Sequence, residues 1–75
     1  MIVIKRINQY NKDIIETGKF LLYTSAIKYL KQFGNTNNIL IEIKIFDGNK
    51  SDNNKQSFYN YQKAIEFLKQ KNGEN

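Results

Sequence analysis

The sequence predicts an α+β fold: a two-layer sandwich built from a duplicated ββα (or βα) unit, with an antiparallel sheet and two amphipathic helices on one face. Three observations lead there. The string FLLYTSAIKYLKQ (20–32) returns in altered form as FYNYQKAIEFLKQ (58–70). Ahead of the second copy stands ILIEIKIF (39–46), with isoleucine at every other position, and ahead of the first a weaker version, IVIKRI (2–7). Two strands alone make no independently stable sheet, so a shared four-strand layer covered by both helices is the arrangement that closes a core.

The elements follow in chain order. IVIKRI has β-branched residues in a period-2 pattern and reads as a strand. NQYN (8–11) is a turn by composition, and DIIETGKF (13–20) supplies a second strand. A competing reading makes Asp13 and Glu16 a capping box and starts the helix early. It would put Gly18 inside a helix at a penalty of about 1 kcal/mol relative to Ala, which favours the strand.

The helices rest on the repeat. With Ala26 placed over Ala64, Phe20 meets Phe58, Tyr23 meets Tyr61, Ile27 meets Ile65, Tyr29 meets Phe67 and Leu30 meets Leu68. At 100° per residue the shared apolar positions fill about half of the wheel, with Lys31, Gln32, Lys69 and Gln70 opposite. Aromatic residues at this spacing are read as core before any ligand-stacking role. Gly34 and Gly73 stand where a left-handed C-terminal cap needs a residue without Cβ.

In the second half, Ile39, Ile41, Ile43 and Ile45 share one side of a strand, while Leu40, Glu42, Lys44 and Phe46 share the other. DGNKSDNN (47–54) is a turn and KQSFY (55–59) the last strand. The chain therefore reads as one domain, 1–75, with repeat one at about 1–36 and repeat two at about 38–73.

Little of this composition serves catalysis. Without His or Cys the commonest general base and the thiol nucleophile are missing, and so are Cys/His zinc sites, haem ligands and disulfides. Ser25, Ser51 and Ser57 have no histidine to activate them. The carboxylate pairs Asp13–Glu16 and Asp47–Asp52 belong to short polar segments that carry acids routinely. No phosphate-cradling glycine string occurs. Asp47, Asn49 and Ser51 match the start of a calcium loop, but Asp52 replaces its glycine and Phe58 its bidentate Glu, so it reads as a strand-ending turn. No enzyme, cofactor or metal site is expected, although no motif fixes a biochemical activity.

Eleven lysines and one arginine against seven acids give a net charge of +5. Lys, Asn and Ile are equally frequent at eleven each, and all three have A/T-rich codons, so low-GC coding explains the positive charge without a polyanion. No signal-peptide core or membrane-length apolar run is present, which leaves the Asn49-Lys50-Ser51 sequon idle and suggests a cytoplasmic protein with no membrane partner.

Two binding functions remain. The first is a non-enzymatic protein-binding module, a small phage or mobile-element protein that binds and inhibits or regulates a host protein such as a defence nuclease or a transcription factor. Its expected contact residues are Leu40, Glu42, Lys44 and Phe46, joined by Val3, Lys5 and Ile7 on a sheet face too apolar for plain solvent. A core this small also suggests a homo-oligomer. The alternative is a basic nucleic-acid-binding accessory that contacts phosphates through Lys28, Lys31, Lys63 and Lys69, with Lys19 and Lys71 near the helix ends. Arg6, the single arginine, argues against base-specific reading.

Overall fold

Alternating isoleucines and one aromatic-rich amphipathic pattern, each used twice, produce the order ββαββα: β1 (Ile2–Asn8), β2 (Ile14–Phe20), α1 (Tyr23–Lys31), β3 (Ile39–Ile45), β4 (Lys55–Phe58) and α2 (Tyr61–Lys71). The structure is a computed structural model and describes residues 1–34, 38–46 and 55–73. The sequon, the 47–54 turn and the calcium-like residues Asp47, Asn49, Ser51 and Asp52 lie outside the described residues.

The four strands form one antiparallel sheet in the order β2-β1-β3-β4. The two units thus meet along β1 and β3, with Ile4 opposite Ile43 and Arg6 opposite Ile41. The β1–β2 connection is closed by short polar contacts. Asn8 Oδ1 accepts from the Tyr10 and Asn11 amides, and the Asn8 amide donates to the Asp13 carbonyl at 2.8 Å. Asp13 therefore closes a hairpin and Glu16 lies within β2, so the capping-box alternative is excluded.

The helices begin later than the repeated strings suggest. Phe20 and Phe58 end β2 and β4, and the chain turns before entering α1 at Tyr23 and α2 at Tyr61. Asn60 caps α2, its Oδ1 accepting the Lys63 amide at 3.1 Å, whereas Leu22 at the equivalent point of α1 offers no side-chain cap. The C-termini differ as well. Gly73 takes the expected left-handed conformation with φ +82°, while Gly34 does not. Both helices close through a right-handed residue, Gln32 and Asn72, but Gly73 follows its cap directly whereas Phe33 stands between Gln32 and Gly34, so Gly34 lies one residue past the place of a left-handed cap.

The core lies between the helices and one face of the sheet. Ile2, Ile4, Ile39, Ile41 and Ile43 face Ala26, Ile27, Leu30, Tyr61, Ala64, Ile65 and Leu68, with no polar side chain buried among the described residues. Duplication persists in three dimensions. Ala26 and Ala64, and Leu30 and Leu68, are fully buried, and Phe20–Tyr29 recurs as Phe58–Phe67 with ring centroids 5.0 and 5.2 Å apart and the same 44° tilt. The aromatic residues expected inside are packed on this cluster: Tyr61 is buried, and Phe20, Tyr23 and Phe58 flank it.

Candidate functional site

With both helices on one side, the other face of the sheet carries no secondary structure among the described residues. Period-2 alternation sends Val3, Lys5 and Ile7 of β1 and Leu40, Glu42 and Lys44 of β3 to this side, with Met1 and Phe46 just outside the two strands. The rungs pair Val3 with Lys44, Lys5 with Glu42 and Ile7 with Leu40. Met1 and Phe46 extend the ladder: the Met1 carbonyl accepts the Phe46 amide, and the Met1 amino group donates to the Phe46 carbonyl, both at 2.8 Å.

The outer strands complete the surface. Lys19 stands opposite Val3 on β2, and Lys55 opposite Lys44 on β4. A shallow concavity of about 430 Å³ is lined by Met1, Val3, Lys5, Lys19, Glu42, Lys44, Phe46 and Lys55. Among the described residues Glu42 is the single acid of this lining, and it lies 3.7 Å from Lys55. The Lys44 ammonium sits 5.3 Å from the Phe46 ring centroid. Directly opposed like charges, as at Lys44 and Lys55, weaken a sheet, and Glu42 offsets only part of that repulsion. Lys19 was expected near a helix end; its place in β2 brings it to this face instead. Ile7 is buried although it lies outside the helix-side core, held in register between Ile14 and Leu40. It therefore anchors one end of the face rather than offering contact.

The helix lysines are divided. Lys28, Lys31 and Lys69 line one inter-helix groove of about 250 Å³ with Thr24 and Ile27. Lys63 is absent from that groove and faces Glu66 at 4.0 Å, and the Lys71 ammonium lies 5.6 Å over the Phe67 ring.

Arg6 is the residue that sequence reasoning passed over. It continues the Ile2, Ile4 alternation toward the helices, and its guanidinium carbon lies 4.0 Å from the Phe33 ring centroid. Its Nε donates to Tyr29 Oη at 3.2 Å and its Nη2 to Glu16 Oε1 at 3.1 Å, while the Tyr29 hydroxyl donates to the same carboxylate. Around it runs a chain of rings, Phe20–Tyr29–Phe33–Tyr61. Burial disfavours the Arg6 charge, but the neighbouring Tyr61 and Tyr29 hydroxyls and the Glu16 carboxylate outweigh it and raise its pKa. The Tyr29 bond first, then Arg6, hold the Glu16 carboxyl below its ordinary value of 4.5. Burial, followed by Glu16, pushes the Tyr29 hydroxyl up. This is a structural clamp joining β1, β2 and α1.

The sign of its acid response follows. A carboxyl with a depressed folded pKa stabilises the fold above its unfolded value and loses that contribution as pH falls through the folded value. Urea unfolding of wild type and Glu16→Gln should thus differ at neutral pH and converge as the pH drops below 4.5. A gap that persists in acid would show the carboxylate charge to be irrelevant.

No protein-family model, curated protein or solved structure matches the chain. Among the described residues no helix is long and apolar enough to cross a membrane.

Proposed function

We propose that the chain is a non-enzymatic protein-binding module whose helix-free sheet face takes an acidic partner surface. One observation carries this reading: Lys44 directly opposes Lys55, with Lys5 and Lys19 beside them, around the apolar Val3 and Phe46. A negatively charged partner relieves that repulsion while covering the apolar residues, which ties binding to both charge and shape. Leu40, Glu42, Lys44 and Phe46 are the proposed contacts on β3. The setting we favour is a phage or mobile element in a low-GC host, with the module occupying a host protein such as a defence nuclease or transcription factor and regulating it. A composition rich in Lys, Asn and Ile, whose codons are A/T-rich, supports that setting.

Affinity purification from the native host, with nuclease added to half of the sample, tests the reading. A nuclease-resistant protein partner is expected on wild type. Phe46→Asp should lose it while keeping the circular dichroism of the fold, because Phe46 is exposed just beyond the end of β3. Leu40→Asp should lose it too, with reduced stability, since Leu40 is half-buried beside Ile7. Equal retention by wild type and Phe46→Asp would end the proposal.

The second reading, nucleic-acid contact, is favoured by the convergence of Lys28, Lys31 and Lys69 on one groove. Replacing Lys28, Lys31, Lys63 and Lys69 with Gln should then abolish DNA or RNA retardation, and wild-type affinity should fall steeply with salt. Absence of retardation by wild type at about 50 mM salt removes this reading, since phosphate contacts are strongest there.

A further inference from the structure

We infer that the outer edge of β2 is a self-association edge, which takes β2 of a second copy in antiparallel pairing about a two-fold axis at Gly18. The inference deepens the self-association expected of the binding module, but on the strand edge that borders the lysine face at Lys19 rather than on the Leu40–Phe46 surface. Among the described residues the sheet order leaves β2 and β4 with no strand paired on their outer sides. Exposed edges are ordinarily blunted by shortness, charge, proline or a bulge. β4 is blunted in this way: its four described residues, Lys-Gln-Ser-Phe, include an exposed charge.

β2 is different. It has seven residues and no proline, and its irregularity lies at the hairpin end, leaving Glu16–Phe20 in regular register. Its acid, Glu16, is held by Arg6 and Tyr29, and its other charge, Lys19, stands opposite Val3 on the lysine face. Among the described residues, four of the eight large hydrophobic residues left in water gather along this edge. Ile14 and Ile15 are 56% and 53% exposed, and Leu21 and Leu22, just beyond the strand, are 85% and 62% exposed.

Symmetry selects the occupant. An axis at Gly18 sets Thr17 against Lys19 and Glu16 against Phe20, then brings Leu21 and Leu22 of each copy toward Ile15 and Ile14 of the other. An axis at Glu16 or Lys19 would oppose like charges, and one at Thr17 would oppose Lys19 to Ile15. A second copy therefore matches apolar to apolar at both ends without a like-charge rung. The product is an eight-stranded sheet with all helices on one side and two lysine faces made continuous.

Sedimentation equilibrium of the full chain over a wide concentration range tests this. The mass should rise from 8.9 kDa toward twice that value. Ile15→Asp and Leu21→Asp should each weaken the dimer about tenfold or more, as loss of a buried apolar contact does. Tyr59→Asp, beside the opposite edge, and Phe46→Asp should leave the dimer intact. Hydrogen exchange adds a readout that needs no variant: β2 amides of wild type should exchange more slowly as concentration rises. A wild type monomeric at every concentration overturns the inference, as does a dimer that survives both edge substitutions or dissolves with Phe46→Asp. A monomer that still captures its protein partner overturns the edge alone, and an intact dimer that captures none overturns only the proposed function.

Discussion

Leu68→Ala is expected to lower the free energy of unfolding by about 2–5 kcal/mol, the range for truncating a fully buried leucine. A 75-residue domain has only about 4–11 kcal/mol in total. Leu68 has no exposed surface and sits on α2 within the cluster that includes Ile41, Ile43 and Leu30. Both the lost transfer energy and the cavity left behind enter the loss. The repeat supplies an internal comparison, since Leu30 occupies the equivalent place on α1 and is equally buried. Leu30→Ala should fall in the same range, whereas Tyr10→Ala, at an exposed position in the β1–β2 connection, should change stability little. Urea titration checks this, with the transition midpoint moving and its steepness retained. A Leu68→Ala loss no larger than that of Tyr10→Ala would contradict the described core.

Arg6→Ala should come second, at about 2–3 kcal/mol, combining a shielded cation–π contact with a charged hydrogen bond. The Arg6 side chain is only 16% exposed, but Glu16 is 48% exposed, so the ion pair itself contributes little. Most of the loss comes from the Phe33 ring and the Tyr29 hydroxyl, which would lose their shared neighbour. Arg6→Lys should restore only part of it, because an ammonium lacks the planar fork that reaches a ring, a hydroxyl and a carboxylate together. Equal stability of Arg6→Lys and wild type in urea would show that charge alone, without geometry, suffices.

Much of the fold is written in particular residues. The isoleucine alternation at 39–45 and the Ala26/Ala64 superposition lead to a four-strand sheet with both helices on one side, as found. The helix starts were less legible, because a residue three places before a helix continues its wheel whether or not it is helical. Phe20 and Phe58 fit the apolar stripe and also end strands, and Lys19 was drawn toward the helix with them. Arg6 could have been found. The spacing Ile2, Ile4, Arg6 aims it at the core side, where its charge demands partners.

The proposed binding face was half legible. Leu40, Glu42, Lys44 and Phe46 share a side by strand periodicity alone. That Lys55 opposes Lys44, and Lys19 opposes Val3, depends on pairing register with the outer strands. No local pattern sets that register, so the cationic character of the face emerges only when the strands are assembled.

The β1–β3 seam gives the molecule the form of a homodimer whose subunits have been tethered into one polypeptide. In a true homodimer every substitution is made twice, and a charge placed under the helices would have to be accommodated at both symmetry-related points. Tethering removes that obligation. Counted from the strand starts, Ile2, Ile4 and Arg6 correspond to Ile39, Ile41 and Ile43, so the guanidinium enters on one side of the pseudo-dyad while an aliphatic side chain remains on the other. The same freedom lets one margin of the sheet turn hydrophilic while its counterpart stays greasy, a polarity that a strictly symmetric ancestor would have no means to express.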